Sequence, residues 1–305
     1  MQFSNTKGAT LLLLFLLLNF SGLKAQIISD TLQVAEAKVD TLALPISQVD
    51  TIKKKNTIWQ NLKYDGVTAF GAIKYTYSRP FHWQKDDLLT AGGVLAGTVL
   101  LSFADESAGD FFADQGKKMP QSLRDFGWYF GSPQNNYGIT GSVYLFGLFT
   151  NNEKIRRTGV LMIASASASG IIQTVAKTVA GRARPEMDKG NLHFKPFAND
   201  PGYNSFPSGH TILSFTTAYA IGKQFENPFI RYGIYGVGLI SPVSRLWERQ
   251  HWVTDVGLSL VMSVAVVECI DKYLKNENKY KYKDPDKICW NFRVGAGTLG
   301  VVGVF

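Results

Sequence analysis

Cysteine and histidine are scarce in this 305-residue chain: two cysteines, Cys269 and Cys289, and four histidines, His82, His193, His210 and His251. Two thiols cannot build a disulfide framework, and neither lies at metal-ligand spacing from a histidine or another thiol. The histidines form no zinc-type cluster, so no metal and no cofactor is expected. Strand-like alternation is rare, which argues against a sheet-based core. A zinc finger, an aromatic RNA-binding motif and a dense Lys/Arg block are all missing. The net charge of +8 therefore points away from nucleic acid and toward an anionic lipid or substrate. Full-length membrane runs are also wanting. Against the ~20 residues a bilayer requires, only 88–104 and 158–176 come close, with 17 and 19 uncharged residues.

What is present is apolar texture in pieces. Apolar residues make up 45% and charged residues 18% of the chain, a balance between that of a soluble domain and that of a membrane bundle. Six apolar runs (88–104, 137–150, 158–176, 211–222, 232–244 and 256–267) have Pro and Gly mostly at their edges. The economical reading is all-α, a six-helix, membrane-associated bundle over 88–275. The Ala, Ser and Gly of 158–176 permit close helix–helix approach. Ahead of the bundle, 1–25 reads as a secretory signal peptide, 26–60 as a polar linker, and 61–87, which mixes aromatics with charge, as an interfacial lead-in. Residues 276–305 form a basic tail with an apolar C-terminal end. The segments 151–157, 223–231 and 272–283 are basic, which places them on the cytoplasmic side and the opposite helix ends outside. A cleaved signal ahead of the first helix demands the reverse sense, so the number of crossing helices stays open.

Three clusters carry chemistry. In KTVAGRARP, Lys177 and Arg184 are seven residues apart, a spacing that places both on one helical face if the helix runs to Pro185; Arg182 falls off that face. In FPSGHT, Ser208 occupies an N-cap position, and Gly209 lets backbone N–H groups approach an anion at the helix start. His210 stands beside that anion as a proton donor. In SRLWERQHWVTD, Pro242 breaks the preceding helix and puts Arg245 at the junction. His251 and Asp255 are four apart, so the carboxylate is expected to accept from one ring nitrogen and leave the other as a nucleophile or base. Three cations, backbone amides, a serine hydroxyl and two histidines suit the charge of a phosphoryl group in flight.

Lys-(six residues)-Arg-Pro, Pro-Ser-Gly-His and Ser-Arg-(five residues)-His-(three residues)-Asp together resemble the motif of the type 2 phosphatidic acid phosphatase/vanadate haloperoxidase superfamily. Lys177, Arg184, Pro185, Pro207, Ser208, Gly209, His210, Ser244, Arg245, His251 and Asp255 all match. The resemblance covers about 88–274. It implies the six-helix acid phosphatase/haloperoxidase fold, His251 as nucleophile, Asp255 orienting it and His210 as acid/base. Lys177, Arg184, Ser208, Gly209 and Arg245 would bind phosphate. The expected activity is a metal-independent phosphatase acting on a phosphate monoester or pyrophosphate, favoured to be that of a membrane lipid, through a phosphohistidine. The expected location is the bacterial cell envelope, with the active site facing the periplasm. A soluble secreted acid phosphatase, a vanadate haloperoxidase and a non-catalytic anion-binding membrane protein are the rivals. Arg79-Pro80 imitates the first motif but has Ala72 where a lysine is required.

Overall fold

The computed structural model describes residues 56–276, 279–280, 289–295 and 298–304. The expected signal peptide and most of the linker lie outside them. Nine α-helices occur among the described residues: α1 Ile58–Ser78, α2 Lys85–Ser102, α3 Asp105–Lys118, α4 Gln121–Gly131, α5 Pro133–Phe149, α6 Glu153–Ala180, α7 Gly209–Gly222, α8 Pro228–Trp247 and α9 Val253–Asn276. The six apolar runs correspond to α2 and to α5 through α9. The helical fold expected from sequence is thus present, enlarged by α1, α3 and α4. A closing antiparallel hairpin pairs β1 (Cys289–Gly295) with β2 (Thr298–Val304), where the sequence favoured an apolar tail over a strand.

Local chemistry sets the helix ends. Thr57 and Gln60 form a reciprocal capping box at the start of α1, satisfying two otherwise unpaired donors. Asn152 caps α6 by accepting from the N–H of Ile155, and Asn227 caps α8 ahead of Pro228. Most of the segment expected as an interfacial lead-in forms α1, which packs one face against the bundle. Asn61, Asp65, Thr68, Ala72 and Thr76 recur at helical spacing and are buried, while the opposite face exposes Trp59 and Phe70. Such a stripe can be missed by an apolarity count because several of its buried members are polar. Pro242 does not end a helix either: α8 runs through it to Trp247. The cost of the missing N–H is met by packing, since α4 lies flush against this segment. A Cβ on Gly127 would come within 3.1 Å of the Ile240 carbonyl and strike Ser244 as well.

The core gathers around α6. Leu161, Met162, Ala164 and Ala168 pack with Tyr144, Leu148, Val267, Ile270 and Leu274. Close approach follows from the small residues, as a Cβ on Gly159 would stand 2.6 Å from the Tyr144 backbone. Helices Glu153–Ala180 and Val253–Lys275 are long and apolar enough to cross a membrane. Lys85–Ser102 and Asp105–Lys118, bent by 67°, qualify together as a third span. No residue of α2 is buried, although Leu88, Leu95, Val99 and Leu100 lie on it, each more than half exposed.

Candidate active site

The three sequence clusters converge where α6 ends and α7 and α9 begin. A cavity of about 210 Å³ is lined by Lys177, Arg184, Gly209, His210 and His251, with Gln173, Leu213, Gly131 and Pro133 completing the wall. Helix α6 stops at Ala180, not at Pro185, because Gly181 adopts φ +56° and its N–H bonds the Lys177 carbonyl. A left-handed residue at that position closes a helix, and glycine is required because a Cβ would overlap the Lys195 carbonyl. Lys177 and Arg184 therefore do not share a helical face. A loop brings Arg184 back to the cavity, and Lys177 Nζ bonds the Asn204 carbonyl.

Ser208 caps α7 as expected, its Oγ accepting from the N–H and hydroxyl of Thr211. Its own N–H donates to Ser259 Oγ at 2.9 Å. Ser208 is fully buried and supports the helix start, while Gly209 and His210 line the cavity. On the far wall, a Cβ at Gly131 would stand 2.8 Å from the His210 Cβ, so only glycine lets α4 close so tightly on this histidine. His210 Nε2 and Arg184 Nε are buried without a hydrogen-bond partner, although both side chains border the cavity. Buried polar atoms are rarely left unpaired; an anion between them would engage both. Arg245 sits in the last turn of α8 and does not line the cavity. It meets Glu248 at 3.0 Å, and its charge still reaches His210.

Histidine orientation departs from the expected scheme. His251 Nδ1 lies 2.6 Å from the Ser205 carbonyl but 3.9 Å from Asp255. A carbonyl only accepts, so Nδ1 carries the proton and Nε2 keeps its lone pair. Asp255 does not bond His251 directly. It accepts from Ser205 Oγ at 2.5 Å, Arg182 Nη1 at 2.6 Å and the Trp252 N–H at 2.9 Å. The carboxylate thus holds the residue that holds the imidazole.

Arg182, which the helical-face argument set aside, is the buried node of this shell. It also donates to Asp105 Oδ2 at 2.7 Å and Thr254 Oγ1 at 2.7 Å, while Asp105 accepts the Thr254 N–H at the start of α9. The signal available in sequence was Gly181: read as a helix stop, it removes the face assignment that excluded Arg182.

Burial pushes His210 down to about 4, with the charges of Arg245, Lys177 and Arg184 acting in the same direction. Burial likewise holds His251 well below the ordinary histidine range, reinforced by Lys177 and Arg184 and opposed by the Ser205 bond. Among the described residues, no group of three or more His, Cys, Asp or Glu side chains is placed to hold a metal. The site offers cations, a helix N-terminus and two imidazoles, a set suited to a compact oxyanion.

Residues 158–278, which contain the Lys177, His210 and His251 clusters, match the model of the PAP2 superfamily. Two curated relatives, the lipid A 1-phosphatases of Rhizobium etli and Rhizobium johnstonii, are each 36% identical over 36% of this chain, covering 51% and 49% of their own lengths. The chain thus spans about half the length of the curated relatives it matches. The crystal structure of Aquifex aeolicus LpxE aligns with a TM-score of 0.39 and 20% identity, over 54% of this chain and 93% of that one.

Proposed function

We propose that the chain is a phosphatase of a membrane lipid, removing phosphate through a phosphohistidine at His251. The observation that carries this reading is the convergence of Lys177, Arg184, Gly209, His210 and His251 on one small cavity. His251 Nε2 attacks phosphorus; the N–P bond forms as the bond to the leaving oxygen breaks, and His210 gives that oxygen a proton. His210 then takes a proton from water, whose oxygen displaces Nε2, releasing inorganic phosphate and restoring the lone pair. Lys177 and Arg184 balance the charge on the non-bridging oxygens, with the Gly209 and His210 amides at the helix start, and Arg245 adds its charge from outside the cavity wall. Ser208 and Asp255 act from behind, Ser208 by capping α7 and Asp255 by holding Ser205 against His251.

The three cations that disfavour protonation of His210 in the empty site lose that effect once a phosphate dianion lies among them. His210 therefore acquires its acidic proton with the substrate, which links protonation to binding. At about 210 Å³ the cavity falls below the ~300–1,000 Å³ typical of sites that engulf a whole small molecule. It admits the phosphate and leaves the remainder of the substrate outside, beside helices of membrane-crossing length. The curated relatives act on lipid A by name, which supports a lipid phosphate monoester as substrate here and a bacterial membrane as its setting. The basic helix ends lie away from this cavity, which supports placing the site on the periplasmic side.

The deciding experiment presents the purified protein, in detergent, with lipid A 1-phosphate, phosphatidic acid, undecaprenyl pyrophosphate and p-nitrophenyl phosphate, with and without EDTA. Lipid substrates are expected to be turned over with higher kcat/KM than the soluble ester, and EDTA to leave the rate unchanged. Turnover of the soluble ester alone overturns the lipid assignment, and turnover of none overturns the phosphatase.

A further inference from the structure

A second cavity lies at the other end of α9, and the chemistry proposed above does not use it. It measures about 580 Å³ and is bounded by the end of α1, the Arg79–His82 turn, the start of α2 and the C-terminal half of α9. Its three carboxylates are already engaged. Asp271 meets Arg157 at 2.5 Å, Lys275 at 2.9 Å and Lys223 at 3.0 Å. Glu268 meets Lys223 at 2.5 Å, and Asp87 accepts the Gln84 N–H in the capping box of α2. Arg79 and Lys272 also line the cavity, yet neither has a carboxylate within ion-pair distance among the described residues. Arg79 lies over the Tyr75 ring at 5.8 Å. Among the described residues, Arg79 and Lys272 are thus the two cavity cations without an ion pair, and Asp87, bonded only to a neutral N–H, is the one carboxylate without a cation.

Its place in the fold indicates what they attract. Lys272 stands near the end of the span Val253–Lys275, and Arg79 and Trp83 stand just before the span that opens at Lys85. Span ends are where lipid headgroups and interfacial aromatics meet. Beside the cavity, Phe81, Trp83, Leu88 and Leu89 are exposed, Phe81 by 87%, offering a surface to acyl chains. His251 precedes α9, so the two cavities sit toward opposite ends of a helix ~36 Å long at ~1.5 Å per residue. We propose that this second cavity binds the phosphate headgroup of an anionic phospholipid, held by Arg79 and Lys272 at the membrane face opposite the catalytic cavity. The inference does not depend on the phosphatase reading.

Free phosphate shares the headgroup's chemistry, so the test separates them. The full chain, in mild detergent with orthovanadate to fill the catalytic cavity, is titrated with phosphatidylglycerol or phosphatidylcholine, and bound lipid is counted by native mass spectrometry. Phosphatidylglycerol should be retained over phosphatidylcholine, and Arg79→Gln/Lys272→Gln should weaken that retention on the order of ten-fold. Arg79→Lys/Lys272→Arg, which conserves charge, should keep it. Hydrolysis of p-nitrophenyl phosphate should be unchanged in both, which separates failure here from failure of the catalytic reading. Equal retention of the two lipids, or an undiminished signal in the glutamine variant with its melting temperature intact, overturns the proposal. Displacement of phosphatidylglycerol by millimolar glycerol phosphate or inorganic phosphate overturns the lipid assignment.

Discussion

The cations that line the catalytic cavity and those buried at the far end of the bundle are partnered differently, although Arg182 behind the cavity is itself buried and paired with Asp105 and Asp255. At the end formed by the start of α6 and the close of α7 and α9, Arg156 meets Asp65 at 2.8 Å and Arg157 meets Asp271 at 2.5 Å, all four buried. At the catalytic cavity, Lys177 donates to the neutral Asn204 carbonyl, and Arg184 donates to the neutral Gln250 side-chain oxygen and lies 3.6 Å from the exposed Glu186 carboxylate. Pairing turns a buried cation into a structural strut, because its desolvation is offset by a fixed carboxylate. Crowding cations without a buried carboxylate raises the energy of the site, an excess that a bound oxyanion relieves. Both kinds of arginine stand in basic stretches of sequence; only their partners distinguish them.

Substitutions at each end test that contrast, and the largest effect belongs to the nucleophile. His251→Ala should lower kcat by at least ~10⁴-fold while orthovanadate still binds, read by isothermal calorimetry; near-normal turnover would remove the mechanism. Next comes the paired end. Arg156→Ala leaves buried Asp65 without its cation and should lower unfolding free energy by ~3–5 kcal/mol, seen by denaturant titration in detergent, with KM unaltered. Lys177→Met should do the reverse, raising KM steeply with stability kept or improved. If both variants lose stability alike, the distinction between strut and site fails.

Arg245→Lys keeps the charge that reaches His210 but loses the guanidinium donors to Ser244 and Glu248, and kcat/KM should fall by ~10-fold. The smallest effect is on pH dependence. His210 titrates near 4 in the folded, empty protein and near ~6.5 when unfolded. The unfolded state therefore binds more protons between those values. Stability should be complete above the upper value and decline as pH falls toward the lower one. Saturating phosphate should shrink that decline and raise the His210 pKa, followed by the NMR shift of its ring protons. A His210 that titrates identically with and without phosphate would separate protonation from binding.

How much was legible depended on the range of the interaction. The Ser208 cap was readable because donor and acceptor lie within one helical turn. The Ala and Gly positions of α6 announced close packing for the same local reason. The spacing of His251 and Asp255 correctly suggested a shared neighbourhood, yet the partner was wrong: the Ser205 carbonyl, 46 residues away, takes the position at Nδ1. Helix α1 escaped notice because its buried stripe includes Asn61 and Asp65, whose burial makes sense only beside Asn151 and Arg156. Pro242 misled because propensity favours a break there, whereas packing against α4 carries the helix through.

Residue order alone determined the chemical inventory of this protein: a helical chain with three motif clusters holding Lys177, Arg184, His210, Arg245, His251 and Asp255. Side-chain type and short-range spacing suffice for that, since caps, helix stops and apolar periodicity act over a few residues. Tertiary structure decided which cations stay unpaired, which carbonyl sets the His251 tautomer, and that Arg182 locks Asp255 to Asp105. Those outcomes rest on desolvation and on partners brought together from distant parts of the chain, and neither exists until the helices have packed.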